Sequence, residues 1–161
     1  MYCEVLMTDS ASEVQVLTVD TATAELVEAF VRLLPQLSSS APATTVESLA
    51  TIIAAPSNTV LIARDPTSGG RIVGTLTLVM FPIPTALRAW IEDVVVDKEA
   101  RGRGVGEALT TSAVNIAKLR GAKTIDLTSG QSREAAHRLY EKAGFHVRNT
   151  SVYRYGAKPG S

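Results

Sequence analysis

Cysteine is almost missing from this chain, which has a single one, Cys3, in 161 residues. A lone cysteine forms neither an internal disulfide nor a multi-cysteine metal site, and its scarcity suits a reducing compartment. Histidine is nearly as scarce. His137 and His146 have no cysteine or carboxylate companion at ligand spacing, so no metal site is expected. No apolar run approaches the roughly 20 residues of a membrane span. The start, Met1-Tyr2-Cys3-Glu4, lacks the basic and apolar regions of a secretory signal, and the chain reads as cytoplasmic. Lysine is absent before position 98, and aromatic residues make up only 5% of the chain. That leaves few stacking platforms for a nucleic acid.

What is present is a 45% hydrophobic, 20% charged composition. A chain of this size and make-up buries a substantial core as one domain. Its zero net charge hides an asymmetry. Residues 1–97 hold four Arg and no Lys against eleven acids, a net of −7, and residues 98–161 hold twelve bases against five acids, a net of +7. A basic half suits a polyanionic ligand and an acidic half a cationic one.

Residues 1–12 read as a flexible leader, 13–155 as one domain and 156–161 as a tail. Residues 13–18 alternate as a first strand. Leu26, Phe30, Leu33, Leu34 and Leu37 recur at helical spacing, and Pro35 ends or kinks that helix. A second helix spans 46–54. Strands follow at 59–63 and 71–81, joined by a turn at 65–70. Two prolines make 81–85 a loop, because proline cannot serve inside a ladder. A strand at 90–96 ends in Val94-Val95-Val96, a run that suits burial on both faces. The next helix carries Val105, Leu109, Ala113, Ile116 and Ala117 on one face, with Gly121 as its cap. A strand at 124–128 leads to a helix at 133–143 that Ser132 can cap. Short strands at 145–147 and 152–155 complete the order. The class is α+β: a mixed central sheet of about six to seven strands flanked by about four helices.

Between the valine strand and the third helix lies Arg101-Gly102-Arg103-Gly104-Val105-Gly106. It is not the dinucleotide fingerprint, because Glu107 takes the third glycine position, nor a P-loop, because no lysine follows. A basic glycine turn opening a helix still suits a phosphate. Glycines allow close backbone approach, the helix N-terminus offers free N–H groups, and Arg101 and Arg103 add charge-assisted donors. Glu107 should point outward.

The stretch 90–109, WIEDVVVDKEARGRGVGEAL, resembles the acetyl-CoA-binding motif of the GNAT (Gcn5-related) N-acetyltransferases, written [RQ]-x-x-G-x-[GA], with Arg101, Gly104 and Gly106 in its fixed positions. Residues 132–145, SREAAHRLYEKAGF, resemble the family's closing helix through Ala136, Leu139, Tyr140, Gly144 and Phe145. The usual Asn is replaced by Arg133, which could contact a cofactor phosphate. The resemblance implies a splayed strand whose Val94, Val95 and Val96 backbone receives the pantetheine arm, with an N–H polarising the thioester carbonyl. It also implies that residues 101–106 hold the pyrophosphate.

For chemistry, Tyr140 is the candidate acid, since a phenol of pKa near ~10 can protonate a thiolate. Glu92 is the candidate base. Strand alternation puts it on the face of Trp90 and Val94, with Asp93 facing away. Ser129 and Ser132 lack a His/Asp arrangement, so direct attack on acetyl-CoA by a small-molecule primary amine is expected. The acceptor would be lined by 34–45 and 81–88, where Arg88 could hold a carboxylate or phosphate. Protein or peptide amines, and a non-catalytic acyl-CoA sensor, are the alternatives. No nucleic acid or membrane partner is expected, and the resemblance leaves a homodimer open.

Overall fold

The computed structural model describes residues 2–4 and 13–156. One six-stranded sheet organises them, in the spatial order β1 (Tyr2–Glu4), β2 (Gln15–Val19), β3 (Asn58–Asp65), β4 (Arg71–Ile83), β5 (Ala86–Val96) and β6 (Thr124–Leu127). Every neighbouring pair is antiparallel except β5 and β6, which run parallel. A parallel pair needs a long crossover, and helix α3 (Val105–Leu119) supplies it.

Helical periodicity decides what covers each face. On one side, Val105, Leu109, Ala113, Ile116 and Ala117 of α3 pack on Leu61, Leu76, Leu78, Ala89 and Ile91. On the other, α1 (Ala24–Leu33) and α2 (Val46–Ala54) bring Leu26, Phe30, Leu33 and Leu49 against Leu17, Val60, Ile62 and Val95. The helix starts are locally encoded. The Thr23 hydroxyl accepts from Leu26 N–H at 3.2 Å, and Thr45 and Ser48 form a reciprocal capping box. Pro35 ends α1 as expected, opening a short 3-10 turn, Leu34–Gln36. Helix α4 (Glu134–Lys142) lies beside α3.

Several expectations need correction. An edge strand that was not expected forms at residues 2–4, paired to β2. The rest of the leader, 5–12, and the tail from 157 lie outside the described residues. Of the seven strands expected, five form as β2–β6, and the sixth strand is this unexpected β1. Residues 145–155 form no strand, and Val147, Val152, Tyr153 and Tyr155 are exposed. Nor is 81–85 a loop: β4 runs through Pro82 to Ile83, and β5 begins at Ala86. Strand β3 begins at Asn58, opposite Val79, so the edge of β4 beyond it is already open and a missing N–H there breaks no ladder bond on that side. The cap of α4 is Arg133 rather than Ser132, and it makes no side-chain cap bond.

Candidate active site

Strand β6 stops at Leu127, opposite Ile91, while β5 runs on for five residues. The outer edge of Glu92 to Val96 therefore has no strand partner among the described residues. Val94 and Val96 are only half-buried. The valine run is thus not covered on both faces; it borders a gap in the sheet.

A bulge sits at the start of this open stretch. From Glu92 to Val95 the β5 strand advances three residues while its partner advances two, from Thr77 to Thr75. Asp93 takes a left-handed φ of +48°, a costly conformation for a residue with a side chain. The bulge reverses the alternation. Ala89 and Ile91 face α3, and after the bulge it is Val94 and Val96 that pack on that core, while Val95 joins the α1 side. Glu92 and Val94 therefore do not share a face, contrary to the simple period of two.

Beside the open edge is a cleft of about 760 Å³, lined by Val94, Val95, Val96, Arg101, Gly102, Gly104, Val105 and Gly106 on one wall and by residues 132–136, Leu139 and Tyr140 on the other. The glycines have distinct reasons. Gly102 and Gly104 have φ of +78° and +79°, which a side chain disfavours. Gly106 lies under α4, where an added Cβ would stand 2.6 Å from a Leu139 methyl carbon. Gly104 caps α3 without a side-chain bond, so the first N–H groups of the helix remain available to an anion. Glu107 is exposed and pairs with Lys142 at 2.8 Å.

Two buried carboxylates clamp the turn, and sequence reasoning missed both. Asp97 accepts from the Glu99 N–H at 3.2 Å and pairs with Arg32, with Arg71 at 3.6 Å. Burial works to raise its carboxyl, but the Glu99 N–H bond and the arginine charges outweigh this and hold it below the usual range. Asp65 accepts from the Thr67 and Ser68 hydroxyls and from Arg103 at 2.7 Å. The Thr67 hydroxyl bond is the main reason that its carboxyl also lies low. Arg103 further donates to the Glu99 carbonyl. Its side chain is thus a strut to the β3–β4 turn and does not line the cleft. Arg101 does line it, and its Nε lies 3.3 Å from the Val96 carbonyl oxygen. Asp65 stood in a recognised turn signal and Asp97 directly before the glycine turn, but nothing local told that they would point inward.

A second, smaller cleft of about 180 Å³ adjoins the first, lined by Leu37, Ser38, Ile91, Glu92, Asp93, Val94, Leu127, Thr128, Arg133 and Tyr140. The two clefts share Val94, Arg133 and Tyr140. Burial pushes the Tyr140 phenol up, with the Arg133 charge opposing, and its ring stands edge-on to Phe145 at 6.0 Å. Leu37 and Ser38 come from the connection after α1. None of residues 81–88 lines the small cleft, and Arg88 is engaged by Asp126 at 2.8 Å and by Thr124. His137 contacts the Gly130 carbonyl at 3.0 Å through Nε2. The Ser129 hydroxyl, between β6 and α4, is buried with no partner among the described residues. No cluster of three or more His, Cys, Asp or Glu suited to a metal occurs among the described residues, and none of their helices is long and apolar enough to cross a membrane.

Comparison with known proteins agrees with this geometry. Residues 24–145 match the family described as "Acetyltransferase (GNAT) family". A glucosamine 6-phosphate N-acetyltransferase 1 from Oryza sativa is 32% identical over 140 residues, covering 82% of each chain. N-alpha-acetyltransferase 30 of Schizosaccharomyces pombe is 39% identical over 71 residues, 44% of this chain and 47% of that one. This chain thus matches about half the length of that relative. Among solved structures, a putative acetyltransferase from Agrobacterium tumefaciens superposes with a TM-score of 0.73 at 28% identity, covering 84% of this chain and 97% of that one.

Proposed function

The chain belongs to the acetyltransferase (GNAT) family, and we propose that it moves an acetyl group from acetyl-CoA to a primary amine of a small molecule, by direct attack in a ternary complex. The observation that carries this reading is the meeting of the two clefts at Val94, Arg133 and Tyr140. A long ligand and a short one can reach each other there.

The donor fits the large cleft on two counts: an unpaired strand edge and an uncapped helix N-terminus. When bound, acetyl-CoA supplies an acyl group activated as a thioester. Val94, Val95 and Val96 offer it backbone hydrogen bonds, one of which is suited to an oxyanion. Gly102, Gly104, Val105 and Gly106 cradle the pyrophosphate with the Arg101 charge beside them, and Arg103 contributes its backbone. Glu92 receives the proton that the amine loses, directly or through water. Tyr140 gives the proton that the departing sulfur gains. Burial raises the pKa of this phenol, which keeps it protonated at neutral pH.

One observation favours a second reading, a protein or peptide amine: the likeness to an N-alpha-acetyltransferase. The small cleft speaks for the first, because 180 Å³ is below the range of roughly 300–1,000 Å³ typical of ligand pockets. Incubation with acetyl-CoA and an amine panel, read by free thiol and product mass, tests the proposal. Thiol release with a small amine is expected; tight acetyl-CoA binding with no release for any amine or peptide would point to a sensor. Glu92→Gln should lower the rate at neutral pH about 10²-fold while acetyl-CoA affinity holds. An unchanged pH–rate profile removes Glu92 as base.

A further inference from the structure

We propose that the small cleft selects a zwitterionic acceptor: a compact primary amine that also carries a carboxylate or phosphate, its ammonium on Glu92 and its anion on Arg133. The assignment rests on the transferase reading above and names the class of amine.

The lining of the cleft carries the argument. Glu92 and Asp93 stand on the bulge of β5, and Arg133 caps the start of α4 across the gap. Arg133 is the one cationic residue in that lining. Neither Glu92 nor Arg133 has an ion-pair partner among the described residues. The molecule therefore presents opposite charges that are not spent on each other. A purely cationic polyamine could place its charges on Glu92 and Asp93 but would leave the Arg133 guanidinium uncompensated. A neutral amine, protonated before reaction, would satisfy Glu92 and leave the guanidinium uncompensated. Only a molecule with both charges answers both walls.

Other candidates for the anion site are already occupied. Arg88 is held by Asp126, and Arg148 reaches the same carboxylate at 3.4 Å. Arg103 is tied to Asp65. Arg101 lines only the large cleft. Arg133 itself lines both clefts and is one of the three residues, with Val94 and Tyr140, at which they meet. That location sets it at the reacting end. The volume of about 180 Å³ confines the choice to short molecules.

Matched pairs of amines test this with the intact protein: glycine against glycinamide, β-alanine against its amide, and 2-aminoethyl phosphate against ethanolamine. The first two pairs read a carboxylate and the third a phosphate. Thiol release should favour the anion-bearing member of at least one pair by 10-fold or more in kcat/KM. In Arg133→Gln, and less so in Arg133→Lys, that preference should collapse toward one through a rise in KM. Calorimetry of the same amines against the CoA-saturated protein reads the anion site without turnover. Zwitterion-selective binding with no turnover of any amine overturns the transferase reading and keeps the site. Equal or better use of the amides, or a preference that survives Arg133→Gln, overturns the inference and leaves the transferase reading standing. Absence of selectivity in both turnover and binding also overturns it.

Discussion

The large cleft and the small one share Val94, Arg133 and Tyr140, yet they are made of different material. The large cleft offers backbone: an unpaired strand edge, two left-handed glycines and the start of a helix. The small cleft gathers charged and titratable residues, Glu92, Asp93, Arg133 and Tyr140, and its acidic wall stands on a bulge. Backbone chemistry is the same in every protein that builds it, so such a cleft suits a ligand common to many enzymes. Side chains carry the choice of partner. The behaviour of substitutions should divide along this line, with binding of the donor governed by whatever holds the turn and turnover governed by the shared residues.

Tyr140→Phe should produce the largest effect. If the hydroxyl delivers the proton to the departing sulfur, kcat falls by about 10²–10³-fold, while acetyl-CoA affinity changes little because the ring remains against Phe145. Stopped-flow thiol release beside equilibrium titration separates the two. Loss of affinity equal to the loss of rate would make Tyr140 a wall of the large cleft alone and erase the distinction drawn at the junction.

The next effect concerns the clamp. Asp97→Ala removes a buried cap and leaves Arg32 and Arg71 without their shared partner. A cost of about 2–3 kcal/mol is expected from cap and ion pair together, seen as a fall in Tm of roughly 5–10 °C. The sign of the pH dependence follows from the depressed carboxyls of Asp65 and Asp97. A carboxylate held low in the folded state stabilises it above the unfolded value near ~4, and that contribution is lost as pH falls through the folded value. Thermal unfolding of the parent protein should therefore show stability that is flat near neutrality and declines below about pH 4. In Asp97→Asn the decline should be shallower, because one of the titrating groups is gone. An identical acid profile would mean that Asp97 is not coupled to folding as the geometry implies.

Legibility in the sequence follows the same division. The turn at 101–106 was visible because positive φ and close helix approach demand glycine at particular places, and the covering helix because Val105, Leu109, Ala113, Ile116 and Ala117 keep one period. The two clefts and their meeting point were not visible. Asp93 carries no local mark of a left-handed conformation, so alternation alone sent Val94 to the wrong face. Pro82 is tolerated in β4 because β3 does not begin until Asn58, opposite Val79, a fact of the sheet and not of the segment. The apolar residues at 145–155 look like strands by composition, but this chain gives them no ladder to join. Arg133 was noticed as a departure from the resembling motif. Its sharing of a cleft with Glu92 depends on β6 stopping at Leu127, which no local pattern announces.

Arg103 offers the smallest expected effect and the sharpest test of what the large cleft is made of. Its guanidinium is committed to Asp65, Thr67, Ser68 and the Glu99 carbonyl, so its part in donor binding is to hold the turn still. Arg103→Met should weaken acetyl-CoA by about 3–10-fold, the scale of roughly 1 kcal/mol lost in ordering a short segment. Asp65→Asn should do much the same, since it cuts the other end of the strut. The two substitutions together should then cost little more than either alone, because residues in one hydrogen-bonded network are not additive. A phosphate contact predicts otherwise. It would give Arg103→Met a larger, salt-dependent loss that Asp65→Asn does not share, and the double substitution would sum. Additivity in that cycle would return Arg103 to the pyrophosphate and make the large cleft depend on side chains after all.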